Sequence, residues 1–502
     1  MPSMPSSAES STADEPTPKT TTPADTNSNA TPSFGIRFGA QVLAWIAILT
    51  VLADSVAAAN GMTLSKQPRE ALAIPRWLYL ATGGATIGAS ALLASFVTDR
   101  AFIYSLHSQS VSLPRMPAVR RWISVLGQTL AVVGLCLMVF LGYTGPQLPS
   151  ASLTVLVTFV GIRAGLPVIA YLVGNPWPAL NPWRAITTIL PTGFYEYPDS
   201  FGRWPAVAGV LTLVWVEVIF PVSTVPRVLA TAILGYSLYT IAGAVVFGSD
   251  AWFEHADPIS VLFRFYGAVA PIQLRDGSAE IILPGSDLAQ SDVVTDSSDV
   301  AFIIALIWEL TYSGFITTAA GAQTITTIVG SPLSAVMPAT PLAVLAYTTL
   351  LVIGYVVFLA AYWYAGTIAR RLTNTYVTSR SIALRLAPPL LAIAAGYHLA
   401  HYAGLLVSLS PALTMAVVSP LSPPANPLVL APPNWFTALS IAFVLGGHLL
   451  AIWEAHASAY DLFPSRLAAI RSQYPFVLVM IGYTIVSLWL LSLPGATIPY
   501  LG

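Results

Sequence analysis

Two histidines, His398 and His401, lie three residues apart in the middle of an apolar segment near 386–409. Positions i and i+3 fall on neighbouring faces of a helix, about 60° apart around its axis. An apolar run of ~20 residues is long enough to cross a bilayer. Ionisable side chains at that depth are costly, so they usually face the interior of a bundle and a partner. The pair therefore predicts a polar site inside a membrane protein.

Other ionisable residues fall at the same predicted depth on other apolar segments. Arg163 lies near the centre of one segment, Glu309 near the centre of another, and His448 just past the middle of a third. Together with the two histidines they predict a shared polar layer built from four helices. Three further ionisable residues lie nearer to the ends of their segments: Glu217, Glu454 and His456.

A metal centre is the first chemistry that these residues would support. Neutral imidazole is a common ligand of Zn, Cu and Fe, and a carboxylate can complete the shell. A divalent transition metal such as Zn or Cu would then be bound by a set of three nitrogens and one oxygen: His398, His401, His448 and Glu309. Glu309 would be a ligand or the general base, and Arg163 would stabilise an anionic transition state.

Three other interpretations stay open. The same layer would serve as a proton or ion relay in a transporter, with Arg163 binding an anion or pairing with Glu309. Axial ligation of haem ranks last, because His398 and His401 are too close for two stacked haems. Alternatively, each histidine is a hydrogen-bonded packing residue, and Arg163 and Glu309 form a buried ion pair that fixes helix pairing.

The composition predicts the class of protein. Of the 502 residues, 55% are hydrophobic and 9% are charged, whereas soluble domains carry roughly 25% charged residues. The chain is therefore expected to be a polytopic integral membrane protein whose partner is the lipid bilayer, with an unknown small-molecule substrate. The net charge is −1 and the basic residues are scattered, so no nucleic-acid partner is expected. The single cysteine, Cys136, excludes an internal disulfide.

The hydrophobic pattern predicts an all-α fold, a transmembrane bundle of 10–11 helices. Residues 1–34 form a polar segment that is expected to be disordered. Residues 35–60 form either a first transmembrane helix or a signal-like segment, and 61–502 form the bundle domain. Ten hydrophobic segments follow residue 60, near 75–97, 122–144, 151–173, 204–222, 228–248, 299–319, 340–366, 386–409, 435–457 and 475–494.

Basic residues concentrate in alternate connections, including Arg115, Arg120 and Arg121 in one and Arg370 and Arg371 in another. Cytoplasmic loops carry an excess of Lys and Arg. The distribution predicts a multi-pass protein of the plasma membrane whose C-terminus lies outside the cell.

Three connections are expected to be more than turns. Gly174–Arg184 contains two Asn-Pro-Trp units, which would either anchor the chain in the aromatic belt or pack under the bundle and close a cavity. The amphipathic run 259–271 predicts an interfacial helix, followed by a polar loop to residue 298. The proline-rich stretch 410–433 is expected to be extended.

The chain resembles a family of polytopic membrane proteins described as fenitrothion hydrolase-like. The stretches that carry the resemblance lie between Asn60 and Ser492. They are GNPWPALNPWR (Gly174–Arg184), Trp215-Val216-Glu217 with Pro226-Arg227, Ala251-Trp252-Phe253-Glu254 with Asp257-Pro258, Ala400-His401-Tyr402, Gly447-His448, and Arg471-Ser472-Gln473-Tyr474 with Tyr483-Thr484 and Leu488 to Ser492.

This resemblance implies hydrolysis of an organophosphate triester. The chain departs from the family pattern at three positions. Asn60 stands where relatives often have His, Ser313 where they often have Asp, and Ala457 where an Asp often follows the histidine at position 456.

Taken together, the first hypothesis is a membrane-embedded, metal-assisted hydrolase of phosphoester-type substrates. The alternatives are a proton- or ion-coupled transporter of small molecules, and a structural or assembly subunit of a membrane complex.

Overall fold

The computed structural model describes residues 76–501 except 115, 276, 277, 291, 292, 425 and 434. The polar segment predicted for 1–34 and the hydrophobic segment predicted for 35–60 lie outside the described residues. Each of the ten later hydrophobic segments contains a helix, so the predicted all-α bundle is confirmed.

Apart from a single α-helical turn at Ser249–Ala251, seventeen helices follow one another along the described chain. In order they are α1 (Arg76–Ser95), α2 (Arg100–His107), α3 (Pro117–Thr144), α4 (Leu153–Leu172), α5 (Trp177–Leu180), α6 (Pro182–Thr187), α7 (Trp204–Ile219), α8 (Pro226–Phe247), α9 (Pro258–Gly267), α10 (Ser286–Gln290), α11 (Ser297–Ile316), α12 (Ala319–Val329), α13 (Ala339–Thr373), α14 (Ser379–Arg385), α15 (Leu390–Val418), α16 (Phe436–Leu462) and α17 (Arg466–Leu491). Short 3₁₀ or π turns lie at Pro149–Ala151, Asp199–Phe201, Trp252–Ala256 and Pro332–Ala335.

Eight of these helices, within the described residues, are long and apolar enough to span a membrane. A ninth span is obtained if α1 and α2, which meet at a bend of 112°, are counted as one. The helix α7 has only 16 residues and is apolar but shorter. Multi-pass insertion therefore follows from the fold.

The helix α11 is the central element of the bundle, with 17 of its 20 residues buried. An apolar helix that is buried on all sides is typical of a bundle core. Its N-terminus is closed by a capping box in which Asp296 accepts from the backbone N–H groups of Ser298 and Asp299. Arg203 also forms a buried ion pair with Asp299. The core helix is thus fixed at its polar end.

The helix α3 has the opposite environment. Three of its 28 residues are buried: Met138, Leu141 and Gly142. A long apolar helix with so little buried surface faces lipid along most of its length. The exposed Cys136 lies on this helix.

Three predictions about the connections were wrong. The run 259–271 does not lie at an interface, because most of α9 is packed inside the bundle. The polar stretch before residue 298 contains α10 and two strands, β2 (Ile272–Arg275) and β3 (Ser278–Ile282), which pair antiparallel with β1 (Ser110–Ser112) in the order β1-β3-β2. The stretch 410–433 begins as helix, since α15 continues through Pro411 to Val418.

The helices α15 and α16 approach each other until their backbones touch. A Cβ atom on Gly447 would lie 2.5 Å from the carbonyl oxygen of Ala392 and 3.0 Å from the Cα of Gly396. Small residues allow such close packing in membranes. These glycines fix the relative positions of the two histidine-bearing helices.

Gly447→Ala should therefore lower the thermal unfolding temperature of the purified protein. The new methyl group meets backbone atoms and forces the helices apart, at a cost of about 1–3 kcal/mol. Gly446→Ala is the matched control, because a Cβ there has nothing within 4 Å and alanine favours the helix by up to ~1 kcal/mol. Equal unfolding temperatures for the two variants would contradict this account.

Candidate functional site

Arg163 lies in a π-helical stretch, Leu156–Gly165, in the middle of α4. Such stretches are rare and often occur at functional sites. Pro167 follows four residues later and has no N–H, so it cannot donate the α-helical hydrogen bond to the Arg163 carbonyl. That carbonyl instead accepts a hydrogen bond from Nε2 of His398 at 2.9 Å. Two of the predicted site residues are thus joined through the main chain.

This hydrogen bond fixes the tautomer of His398. A carbonyl oxygen only accepts, so Nε2 carries a proton and Nδ1 is the acceptor in the neutral ring. Nδ1 faces the hydroxyl of Tyr266 on α9 at 3.5 Å, the long limit of a hydrogen bond. The ring of Tyr402 packs against His398 with centroids 4.4 Å apart. His398 is therefore a positioned neutral imidazole with one accepting nitrogen.

The guanidinium of Arg163 is held between two carboxylates. Its Nη2 atom pairs with Glu309 of α11 and lies 3.1 Å from an oxygen of Glu217 of α7. The side chains of Arg163 and Glu217 are 22% and 25% exposed, whereas Glu309 is 6% exposed. The ring of Tyr402 lies 5.4 Å from the guanidinium and adds a cation–π contact. We call Arg163, Glu217 and Glu309 the charged triad.

The charged triad lines a partly open cavity of about 670 Å³. That volume lies within the ~300–1,000 Å³ range of small-molecule sites. The polar groups at its wall include the three triad residues, His398 and Tyr266. The rest of the wall is mostly apolar side chains from α3, α4, α7, α8 and α9.

The two Asn-Pro-Trp units form part of the cavity wall. Trp177 and Trp183 both line the cavity and are 3% and 5% exposed. The indole N–H of Trp177 donates to Ser260 at 3.1 Å, and Asn181 donates to the same hydroxyl at 3.2 Å. The indole N–H of Trp183 donates to Ser237 of α8 at 2.8 Å. Gly174–Arg184 was expected either to anchor the chain in the aromatic belt or to close a cavity, and these contacts support the second role.

The other two predicted site histidines lie elsewhere. Both ring nitrogens of His448 have partners within the protein: Nδ1 donates to the Val444 carbonyl at 2.8 Å, and Nε2 lies 2.6 Å from the Thr484 hydroxyl. His401 is buried, stacks on Tyr397 with centroids 5.0 Å apart, and lies outside the cavity lining. Neither residue joins the charged triad.

The predicted ligand set is therefore divided between several environments. Glu309 pairs with Arg163, both nitrogens of His398 face partners, and His448 bonds to α16 and α17. Within the part of the chain that the structure describes, no group of three or more His, Cys, Asp or Glu side chains is arranged to hold a metal ion. The structure does not support His398, His401, His448 and Glu309 as one metal centre.

Two contributors to the site were missed from the sequence. Glu217 was placed near the outer end of its segment, but the short helix α7 brings it to Arg163. Tyr266 lies on α9, which was expected at the interface. The spacing of Arg163 and Pro167 was a usable signal, since a proline four residues on leaves the Arg163 carbonyl in need of another donor.

A second buried polar cluster lies between α2, α16 and α17. His107 pairs with Glu454 at 3.1 Å. His456 bonds to the Val97 carbonyl at 2.8 Å and to the Gln473 side chain at 3.2 Å. These residues fix helix packing outside the cavity. Of the departures from the family pattern, Ser313 and Ala457 are buried and line no part of the cavity, and Asn60 lies outside the described residues.

The fold and the site together define a polytopic membrane protein with a charged triad at the wall of a partly open cavity. No protein-family model, curated protein or solved structure matches the chain. The resemblance to the fenitrothion hydrolase-like family stays a prediction.

Arg163→Gln should lower the stability of the purified protein by about 3 kcal/mol, because it leaves two carboxylates without their cation. The double variant Arg163→Gln/Glu309→Gln should recover part of that loss, since one uncompensated carboxylate has been removed. Thermal unfolding of the wild type, both single variants and the double variant forms a complete cycle. Strictly additive losses would show that Arg163 and Glu309 do not interact.

Proposed function

We propose that this chain is a proton-coupled membrane permease that binds a small organic molecule in the cavity. One observation carries the proposal: a single guanidinium lies between two carboxylates at the wall of a cavity of small-molecule size. An ion pair alone would fix helix packing. The second carboxylate adds a charge that the pair does not need.

Charge balance gives the triad its coupling role. One cation and two carboxylates leave one negative charge uncompensated, and an isolated charge within a bilayer is costly. The triad is balanced when it holds one proton or when a ligand supplies the missing positive charge. Binding would then be linked to proton release.

Other titratable groups face the triad from the surrounding helices. They are Tyr171 of α4, Tyr266 of α9, and His398 and Tyr402 of α15. The accepting Nδ1 of His398 and the hydroxyl of Tyr266 line the cavity beside the triad and would exchange protons with a molecule bound there. Chains of such groups are how transporters relay protons across membranes.

Two contacts weigh against the roles predicted for a hydrolase. Arg163, the predicted stabiliser of an anionic transition state, already pairs with two carboxylates. Glu309, the predicted general base, is one of them. A purely structural subunit would explain the ion pair but gives no reason for a cavity of about 670 Å³.

Infrared difference spectroscopy of the ligand-free protein tests the charge balance. The wild type should show one protonated carboxyl group that either Glu217→Gln or Glu309→Gln removes, because the remaining carboxylate then pairs with Arg163 alone. Glu454→Gln is the control, since that buried carboxylate pairs with His107 outside the cavity. A carboxyl band whose intensity is the same in the wild type, Glu217→Gln and Glu309→Gln would contradict the proposal.

Coupling is then measured in proteoliposomes that contain a pH-sensitive dye. A panel of small organic cations, anions and neutral molecules is added outside vesicles that carry a pH gradient. At least one class should move protons in the wild type and in Glu454→Gln but not in Glu217→Gln or Glu309→Gln. If protons move equally in all four proteins, the movement is leakage and proton coupling by the triad is contradicted.

A further inference from the structure

The helix α3 is attached to the bundle through hydrogen bonds near its middle and in its C-terminal half, where the Thr154 hydroxyl of α4 also donates to the Met138 carbonyl at 2.6 Å. Toward its C-terminus, the Tyr143 hydroxyl hydrogen-bonds to Thr231 of α8 at 2.8 Å. Nearer its middle, Gln128 donates to the carbonyl of Pro178 in α5 at 3.2 Å. The cavity lies against the part of α3 between Gln128 and Tyr143.

The middle of α3 borders open space. Leu130 and Val133 line the cavity and are nevertheless 62% and 51% exposed. Gly134 also lines the cavity, and a Cβ atom there would have nothing within 4 Å. Residues that belong both to a cavity wall and to an exposed surface mark the edge of an opening. Within the described residues, this edge lies on an apolar helix of membrane-spanning length with only three fully buried residues, so the opening would face the hydrocarbon core.

We infer that the cavity binds a lipophilic organic cation that enters sideways from the hydrocarbon core of the membrane, past the middle of α3. The inference rests on the proposed function and specifies the class of ligand and its route. It combines three observations: the apolar wall, the presence of two carboxylates beside the single guanidinium of Arg163, and the exposed edge at Leu130, Val133 and Gly134.

The cavity wall is complementary to both the hydrocarbon body and the charged group of such a ligand. Its apolar side chains accept a hydrocarbon body, and burial of that body contributes ~25 cal/mol per Å². The aromatic side chains of Trp177, Trp183, Tyr236 and Tyr266 lie among the lining residues, and exposed parts of such rings attract a cation. The positive charge of the ligand replaces the proton of the triad. Among the lining residues that the structure describes, an anion finds no unpaired guanidinium, because Arg163 already pairs with two carboxylates.

A pair of probes with the same shape and opposite charge tests the charge preference. Tetraphenylphosphonium and tetraphenylborate are titrated into wild-type protein in lipid nanodiscs, and binding to empty nanodiscs is subtracted. The Kd of the cation should be about tenfold or more below that of the anion. Tetraethylammonium, which has the charge without the apolar body, should fail to bind. Equal affinity for cation and anion would overturn the inference.

Two glycine variants test the route and the position. Gly134→Leu places a side chain in the open space of the cavity and should weaken tetraphenylphosphonium binding at least about tenfold. Gly235→Leu on α8 is the matched control, because Gly235 also has nothing within 4 Å of a Cβ but is exposed and lies outside the cavity lining. Leucine favours a helix over glycine in both variants, so both should fold. Equal loss of binding in the two variants, or none in either, would overturn the inference.

The inference and the proposed function can fail separately. Cation binding that depends on Gly134, without proton movement in proteoliposomes, would support the ligand and its route and overturn proton coupling. Proton movement that is driven by anions alone and lost in Glu309→Gln would support the permease and overturn the cationic ligand.

Discussion

A guanidinium shared between two carboxylates is the contact on which the arrangement of the bundle depends. Arg163, Glu217 and Glu309 come from α4, α7 and α11, so a single cation connects three helices. Lipid cannot solvate these charges, and removal of one partner leaves the others without compensation. Neighbouring elements are accordingly placed around the triad: α15 supplies His398 and Tyr402, and α9 supplies Tyr266.

The backbone of α4 adapts to hold Arg163 in that position. Pro167 removes the α-helical donor for the Arg163 carbonyl, and the preceding stretch is π-helical. His398 satisfies the carbonyl, which couples the main chain of α4 to a side chain of α15. The contact of Gly396 and Gly447 places α15 against α16. The hydrogen bond to the Arg163 carbonyl and the close contact of α15 with α16 therefore position the site residues without a ligand.

The fold class was predictable because hydrophobic length and low charge are properties of the segments themselves. That Arg163, Glu309 and His398 face partners inside the bundle was also predictable, since depth in an apolar helix identifies costly side chains. The partners of these side chains were not predictable, because depth does not tell in which direction around the helix axis a side chain points. His448 lies at a similar depth but faces Thr484, whereas Glu217 reaches the triad from near the end of a short helix. Likewise, the amphipathic pattern of α9 was compatible with an interface, and only the packing places Tyr266 inside.

If the protein is the permease proposed above, the charge count of the triad limits which ligands can be exchanged for a proton. Two carboxylates and one guanidinium leave one negative charge, so a monovalent cation and one proton are equivalent occupants. A divalent cation would leave an excess positive charge in a mostly apolar cavity, at a further cost in desolvation. A neutral ligand would leave the proton in place and would not be coupled to the gradient. On the proposed scheme, the number of carboxylates around Arg163 therefore sets a stoichiometry of one proton for one monovalent cation.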